Sequence, residues 1–191
     1  MTRPEAKPAA VVVPIRFDPV PSVIAVVRSE ELRDHPGEVG FPGGKLEPED
    51  CDLRAAAFRE VHEEVALAGG DLEELGTLSP IPVVTGRFLI HPFVAAVLPG
   101  ARPRVASSEL SRMVELPLAP WITGESRYGA VPTEWRGKSW LLPHFEVADR
   151  VLYGASAFIF YELLLKLCSV LGVEMPEPRV QHDYPWGTRY A

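Results

Sequence analysis

Three glutamates in one short stretch, Glu60, Glu63 and Glu64, constrain the fold of this chain more than any other feature. Their spacing of i, i+3 and i+4 predicts that they share one arc of an α-helix. Phe58 and Val61 fall on a neighbouring arc, which favours packing of that helix against a sheet. Like charges four residues apart destabilise an isolated helix by roughly 0.2–0.5 kcal/mol. The spacing therefore indicates either a solvated acidic helix face or a site for a cation.

A glycine turn and an acidic loop come directly before this helix. Gly43-Gly44 forms the turn, and the loop over residues 45–50 carries three more carboxylates. A glycine turn lets the backbone approach a ligand closely. Hard divalent cations such as Mg²⁺ take oxygen ligands, usually a few carboxylates together with substrate phosphates. Turn, loop and helix together therefore predict a site for a divalent metal and a diphosphate.

The stretch from Gly44 to Leu67 resembles the Nudix box, G-x5-E-x7-R-E-U-x-E-E-x-G-U, in which U is a large aliphatic residue. The matching positions are Gly44, Arg59, Glu60, Val61, Glu63, Glu64 and Leu67. Asp50 stands in place of the first glutamate, with one extra residue before Arg59, and Ala66 stands where glycine is usual. The resemblance implies an α/β fold, namely the Nudix-type α/β/α sandwich with a mixed β-sheet.

The Nudix resemblance also assigns a metal site and catalytic residues. It implies a divalent cofactor, Mg²⁺ or Mn²⁺, held by Glu60, Glu63, Glu64 and the carbonyl of Gly44. Glu63 and Glu64 are assigned to catalysis as well, and Glu63 is expected to share metal binding with proton transfer. Metal activation of water is expected to be the larger effect, because a carboxylate near pKa 4 is a weak base on its own.

Arg59 is assigned an indirect part in catalysis by the same resemblance. We expect its guanidinium to hold a glutamate of the preceding loop, either Glu47 or Glu49. That contact would fix the loop that positions Gly44 and the metal, as partners of metal ligands commonly do.

A second pattern lies immediately upstream and resembles L-L-T-x-R-[SA]-x3-R-x3-G-x3-F-P-G-G, the signature of the coenzyme A diphosphatase branch of the Nudix family. The matching positions are Arg28, Ser29, Arg33, Gly37 and the run Phe41-Pro42-Gly43-Gly44, whereas Ile24-Ala25-Val26 stands where L-L-T is usual. Arginine offers a planar fork suited to phosphate. Arg28, Arg33 and Lys45 are therefore assigned to substrate binding, and the alternative for the two arginines is an ordinary surface position.

The two resemblances together imply a reaction. It is the metal-dependent hydrolysis of the diphosphate of coenzyme A, or of a derivative, to 3′-phosphoadenosine 5′-phosphate and 4′-phosphopantetheine. Alternative substrates with the same chemistry are ADP-ribose, NADH, dinucleoside polyphosphates and nucleoside triphosphates. A further alternative is a non-catalytic module that senses a nucleotide, but such a module would be expected to lose its acidic ligands.

Charge and cysteine content narrow the partners and the compartment. The formal net charge of −7 argues against a broad nucleic-acid or anionic-membrane surface. The two cysteines lie far apart without a C-x-x-C pair, as is typical of reduced thiols in an intracellular protein. The N-terminus lacks the apolar core of a signal peptide. We therefore expect a cytoplasmic enzyme that binds a small nucleotide, not nucleic acid or a membrane.

The chain of 191 residues is long enough for one domain with a full core. We expect a frayed N-terminus over residues 1–9, a single Nudix domain over 10–173 and a tail over 174–191. The tail has three interpretations: it covers the surface, it supports a homodimer, or it is disordered.

Several element boundaries follow from the local sequence. We expect the acidic helix to span about residues 50–67 and to end at Gly69-Gly70. The strand over 88–98 should be interrupted near Pro92, because proline cannot donate to a sheet. Residues 121–137 read as a long loop, and the apolar stretch 154–173 as a buried core helix.

Overall fold

The computed structural model of this chain describes residues 6–135 and 137–187, without the side chain of Trp135. The helical elements within these residues are α1 (Leu53–Val65), α2 (Ala119–Thr123), α3 (Gly154–Leu171) and a 3-10 turn at Gly69–Asp71. Helix α1 begins directly after Asp52, whose carboxylate accepts the N–H of Ala55 at 2.7 Å. This bond satisfies one of the free N–H groups at the start of the helix.

Eight strands among the described residues form one sheet. They are β1 (Lys7–Arg16), β2 (Ser22–Arg28), β3 (Val39–Gly40), β4 (Gly43–Lys45), β5 (Leu72–Thr77), β6 (Ile81–Pro82), β7 (Phe88–Val97) and β8 (Leu110–Pro117). The main order is β3-β2-β1-β7-β5, with β4 paired to β1, β6 to β7 and β8 to β2. Strands β1 and β7 run parallel, whereas β1 and β2 run antiparallel. The prediction of a mixed sheet is therefore confirmed.

Helices cover both faces of the mixed sheet. On one face Ala57, Val61 and Val65 of α1 pack against Val12 of β1 and Ile24 of β2. On the other face α3 packs in a cluster with the alternate residues of the same strands, Val13, Ile15, Val23, Ala25 and Val27. Strand β2 is buried on both faces, as its unbroken apolar sequence predicts. The α/β/α sandwich predicted from the sequence is confirmed.

Helix α3 is long and apolar enough, by length and composition alone, to cross a membrane. Its side chains Phe160 and Leu164 are nonetheless fully buried in the core cluster beneath the sheet. In this structure α3 is therefore a core helix, as the sequence predicts.

A smaller second sheet lies beside α3. Its strands are β9 (Gly129–Trp135), β10 (Lys138–Val147), β11 (Arg150–Leu152) and β12 (Arg179–Val180), in the order β11-β10-β9-β12. Phe145 of β10 packs edge-on against Phe160 of α3 and Trp121 of α2, with ring centroids 4.9 and 5.2 Å apart. The prediction of a long loop over 121–137 is therefore wrong, because Trp121 and Tyr128 are buried in this core and the segment contains the end of α2 and the whole of β9.

Two predicted element boundaries are also wrong. Strand β7 is not interrupted at Pro92, because its pairing with β1 continues there, opposite Val11. Helix α1 ends at Ala66, which has a left-handed φ of 56°, and not at Gly69-Gly70, which opens the 3-10 turn.

Both ends of the described chain pack against the domain. Strand β1 already begins at Lys7, inside the segment 1–9 for which we expect fraying, and residues 1–5 lie outside the described part. In the tail, β12 pairs in parallel with β9, and the ring of Trp186 stacks on that of Tyr153 with centroids 5.0 Å apart. Residues 174–187 thus cover the surface of their own chain, and the domain limits and the homodimer stay predictions.

The left-handed residue at the end of α1 predicts a stabilising substitution. An alanine in this conformation costs roughly 1–2 kcal/mol, which glycine avoids. Ala66→Gly should therefore raise the free energy of unfolding by about 0.5–1 kcal/mol, after the larger entropy of glycine in the unfolded chain is subtracted. Urea denaturation measures the change. The matched control is Ala68→Gly, because Ala68 has a φ of −78°; an equal gain in both variants would contradict the explanation.

A buried histidine predicts how stability varies with pH. His144 is 3% exposed, its Nδ1 has no hydrogen-bond partner among the described residues, and burial lowers its pKa below the ordinary 6.5. As pH falls below 6.5, His144 binds a proton in the unfolded chain but not yet in the folded chain. The free energy of unfolding should therefore fall. His144→Gln should reduce this loss in melting experiments between about pH 7.5 and 5.5. The exposed His182→Gln should melt with the wild-type pH profile, and a profile for His144→Gln identical to wild type would sink the prediction.

Candidate functional site

The candidate site is built where strand β4 passes against helix α1. The N–H of Gly43 donates a hydrogen bond to Oε2 of Glu64 at 3.0 Å. The Glu60 carboxylate lies so close to Gly44 that a Cβ atom at that position would overlap it. Gly43 has a φ of 153° and packs against the backbone of Ala10, which leaves no room for a side chain there either. Both glycines of the turn are therefore required by close backbone approach, as the sequence predicts.

Burial raises the pKa of two of the three glutamates. The pKa of Glu64 is raised to about 7, first by burial and also by the negative charges of Glu60 and Glu109, while the bond from Gly43 and the charge of Arg28 oppose the rise. The pKa of Glu60 is raised mainly by burial, against the nearby positive charge of Arg59. Both carboxylates therefore lie in surroundings that leave their negative charge incompletely compensated.

Arg59 holds the acidic loop through Asp50. Its Nε and Nη2 atoms bind the two oxygens of the Asp50 carboxylate at 3.0 and 3.1 Å, and the backbone N–H of Glu47 donates to the same carboxylate at 2.9 Å. These contacts hold the pKa of Asp50 below its ordinary value and raise that of Arg59. The prediction that Glu47 or Glu49 is the partner of Arg59 is wrong. The sequence feature that could have identified the correct partner is that Asp50 takes the place of the first glutamate of the family pattern.

The remaining nitrogen of Arg59 faces the acidic side of the helix. Its Nη1 lies 3.1 Å from Oε2 of Glu63 and 3.2 Å from Oε1 of Glu60, and Nη2 is 3.5 Å from the carbonyl oxygen of Lys45. Arg59 thus joins the loop to two of the three glutamates. The Glu63 side chain is 55% exposed and reaches toward Arg59 rather than toward Gly43.

Of the three cationic residues assigned to substrate binding, Arg28 interacts with carboxylates at the acidic site. Its Nη2 is 3.6 Å from Glu109, its charge lowers the pKa of Glu64, and its buried Nε has no hydrogen-bond partner among the described residues. Arg33 is exposed on the loop that follows β2. The ammonium of Lys45 lies 5.5 Å from the ring centroid of Phe88. The contacts thus bring Arg28 to the site, whereas they do not bring Arg33 or Lys45 there.

The oxygen atoms at this site fit a hard divalent cation. Carboxylates of Glu60 and Glu64 and the backbone of Gly44 meet at one edge of α1, and oxygen ligands of this type are those that Mg²⁺ and Mn²⁺ bind. Within the described part of the chain, no three acidic, imidazole or thiol side chains are already gathered around one point. Glu63 would have to turn from Arg59 to complete the set. The site therefore offers two close carboxylates and one movable carboxylate.

Comparison with known proteins identifies the family. The family model described as the NUDIX domain matches residues 6–123. This chain belongs to the Nudix family. It is 34% identical over 165 residues to an uncharacterized Nudix hydrolase, NudL, of Enterobacter sp. (strain 638), a match that covers 83% of this chain and 82% of the relative. It is 37% identical over 164 residues to the NudL protein of Salmonella paratyphi B, with the same coverage.

Solved structures agree on the Nudix fold. A MutT/nudix family protein from Enterococcus faecalis matches with a TM-score of 0.56 and 10% identity, over 89% of this chain and 64% of its own. A C. elegans Ap4A hydrolase matches with a TM-score of 0.50 and 18% identity, over 60% of this chain and 83% of its own. The protein is accordingly a Nudix hydrolase, which cleaves the phosphoric anhydride of nucleoside diphosphate derivatives. Enzymes of this family generally use divalent metal ions such as Mg²⁺.

The contact of Arg59 with Asp50 predicts which loop carboxylate matters for turnover. Asp50→Ala should lower activity about 10–100-fold, because it releases Arg59 and with it the loop that carries Gly44. Glu47→Ala should retain activity close to wild type, since Glu47 contacts Asp50 through its backbone N–H and not its side chain. Steady-state rates of both variants with Mg²⁺ test this, with circular dichroism to check folding. Equal losses would mean that overall loop charge, and not the bidentate contact, is what counts.

Proposed function

We propose that this Nudix hydrolase cleaves the diphosphate of coenzyme A or of a coenzyme A derivative. The products are 3′-phosphoadenosine 5′-phosphate and 4′-phosphopantetheine. The proposal rests on the signature from Arg28 to Gly44, whose residues lie in register with the coenzyme A branch of the family. The catalytic glutamates alone support only the coarser activity, because they are common to Nudix hydrolases of other diphosphates.

The observation that carries the proposal is the position of Arg28. Arg28 ends strand β2 and is the first position of the signature that this chain matches, and its charge lowers the pKa of the buried Glu64. A guanidinium with an unpaired Nε beside the metal-ligand candidates suits a phosphate oxygen of the substrate. The loop that carries the start of the signature, residues 28–38 (the signature loop), therefore begins at the acidic site. This position supports a role of the signature loop in selecting the diphosphate.

In the proposed mechanism the chain binds the substrate and moves one proton. Glu60, Glu63, Glu64 and the carbonyl of Gly44 would hold the divalent cation, and Arg28 would bind a phosphate oxygen. When bound, the cation neutralises phosphoryl oxygens and lowers the pKa of water. A water oxygen bonds to one phosphorus as the bridging P–O bond breaks, and the bridging oxygen leaves with the other phosphate. Glu63 accepts the proton from that water.

Arg59 supports this mechanism without contacting the substrate. It balances the charge of Glu60 and Glu63 and ties the acidic loop to α1 through Asp50. The exposed position of Glu63 leaves it accessible to a water molecule at the open side of the site. We also place the enzyme in the cytoplasm, because Cys51 and Cys168 are free thiols, as is typical of reducing compartments.

A panel of substrates tests the proposed specificity. Coenzyme A, an acyl thioester of coenzyme A, ADP-ribose, NADH and a dinucleoside polyphosphate are each incubated with the full chain and Mg²⁺ or Mn²⁺. Mass spectrometry should show the two expected products, and coenzyme A or its thioester should have the highest kcat/KM. A clearly higher kcat/KM for ADP-ribose would overturn the coenzyme A assignment while leaving the hydrolase activity intact.

Removing the charge of one buried glutamate should abolish turnover. Glu64→Gln keeps the shape of the side chain but loses a metal ligand, so kcat should fall by at least about 10²-fold. The matched control is Glu49→Gln, because Glu49 is an exposed carboxylate of the acidic loop and should leave the rate within about twofold of wild type, as surface substitutions usually have small effects. Metal binding measured by calorimetry should weaken in parallel. Wild-type turnover in a folded Glu64→Gln would contradict the proposed metal site.

A further inference from the structure

A cleft of about 530 Å³ lies between the signature loop and the C-terminal tail. One wall is the loop segment Pro36 to Glu38, and the other is formed by residues 149–153 and by Pro185, Trp186 and Gly187. The family match ends at residue 123, so the second wall lies wholly outside it. The cleft therefore joins the loop that begins at Arg28 to a part of the chain that the common Nudix domain does not include.

An ion pair holds the loop at the mouth of this cleft. Arg150 Nη2 binds Oε1 of Glu30 at 2.8 Å, and the pair passes directly over Gly37. A Cβ atom on Gly37 would lie 2.5 Å from Glu30 and 2.7 Å from Arg150, and Gly37 has a left-handed φ of 68°. The glycine of the signature is therefore needed so that the loop can be bound to β11.

The aromatic wall has the form of a stacking platform. The rings of Tyr153 and Trp186 lie parallel, 6° apart in plane, and both side chains are half-buried. The rings of His144 and Tyr184 also pack edge-to-face with that of Trp186, at centroid distances of 5.5 and 5.4 Å. A rigid, partly exposed aromatic stack is a surface on which a flat heteroaromatic ring binds well.

The charges of the cleft favour a ring over a phosphate. Glu38 and Asp149 line it, and among the described residues that line it the one cation is Arg150, which is paired with Glu30 and lies 3.7 Å from Asp149. Glu38 also contacts His35, and Asp149 also pairs with Arg112. Carboxylates repel phosphate but accept hydrogen bonds from an exocyclic amino group. A cavity of this size is within the range of small-ligand sites, about 300–1,000 Å³.

The cleft is also connected to the acidic site. The backbone N–H of Arg28 donates to the carbonyl of Glu38 at 2.9 Å. A residue of the cleft wall and the proposed phosphate-binding arginine are therefore hydrogen-bonded neighbours where strands β2 and β3 pair.

We propose that this cleft binds the nucleobase of the substrate, with its ring on the Tyr153–Trp186 stack. The inference rests on the proposed function only in naming the base as adenine. The C-terminal tail is then a specificity element, because it supplies Trp186, one of the two rings of the stack that binds the part of the substrate that does not react.

Binding of adenosine 5′-monophosphate to the full chain in the presence of EDTA tests this proposal without turnover. Calorimetry should show binding to the wild type and about tenfold weaker binding to Trp186→Ala. Trp186→Phe, which keeps an aromatic ring, should retain most of the affinity. The matched control is Trp140→Ala, an exposed tryptophan of β10 that does not line the cleft and should bind like wild type.

A second measurement protects against a folding defect in Trp186→Ala, since Trp186 also packs on His144. In amide NMR spectra of the wild type, the nucleotide should shift the signals of Gly37 and Gly187. Unchanged affinity in Trp186→Ala, shifts confined to other regions, or no binding at millimolar nucleotide would each overturn the proposal. Faster turnover of ADP-ribose than of coenzyme A would defeat the proposed function alone, because both substrates contain this adenosine monophosphate unit.

Discussion

The close approach of the Gly43-Gly44 backbone to helix α1 governs the rest of the site. Glu64 receives the N–H of Gly43, and Glu60 occupies the space that a side chain on Gly44 would fill. The same strand is pressed against the backbone of β1, the centre of the sheet. Because interiors are closely packed, α1 cannot shift away without opening the core around Val61. The acidic face is thus held in place by the hydrophobic core on its opposite side.

This close approach concentrates negative charge on one face of α1. The carboxylates there do not all have a positively charged partner of equal proximity. Arg59 pairs with Asp50, Glu60 and Glu63, which are the carboxylates at the open side. Among the described residues, Glu64 receives one backbone N–H and the charge of the more distant Arg28, and its pKa is the one raised to about 7. The uncompensated charge of Glu64 lies beside the Gly43-Gly44 backbone. A divalent cation placed there would relieve a cost that the folded chain otherwise carries.

Most features that depend on residues close together in the sequence were predictable, whereas several features that depend on distant residues were not. The spacing of Glu60, Glu63 and Glu64 depends on helical geometry alone, and the buried strand β2 on its own apolar run. The partner of Arg59 depends on the path of a loop, so counting carboxylates could not separate Glu47, Glu49 and Asp50. The end of α1 escaped prediction because an alanine adopts the conformation that normally marks a glycine. The packing of Trp121 depends on partners distant in sequence, including Phe160.

Substrate specificity also depends on contacts that lie away from the acidic helix. In the proposed mechanism the carboxylates on α1 act on a diphosphate, and a diphosphate is identical in coenzyme A, ADP-ribose and a dinucleotide. Discrimination among them must come from groups that contact the rest of the molecule. The loop after β2 is held by Arg150 on one side and by β3 on the other, which fixes its distance from both the acidic site and the tail. A loop that is held at both ends would keep a fixed spacing between a phosphate-binding residue and a base-binding surface, which a lone surface arginine could not do.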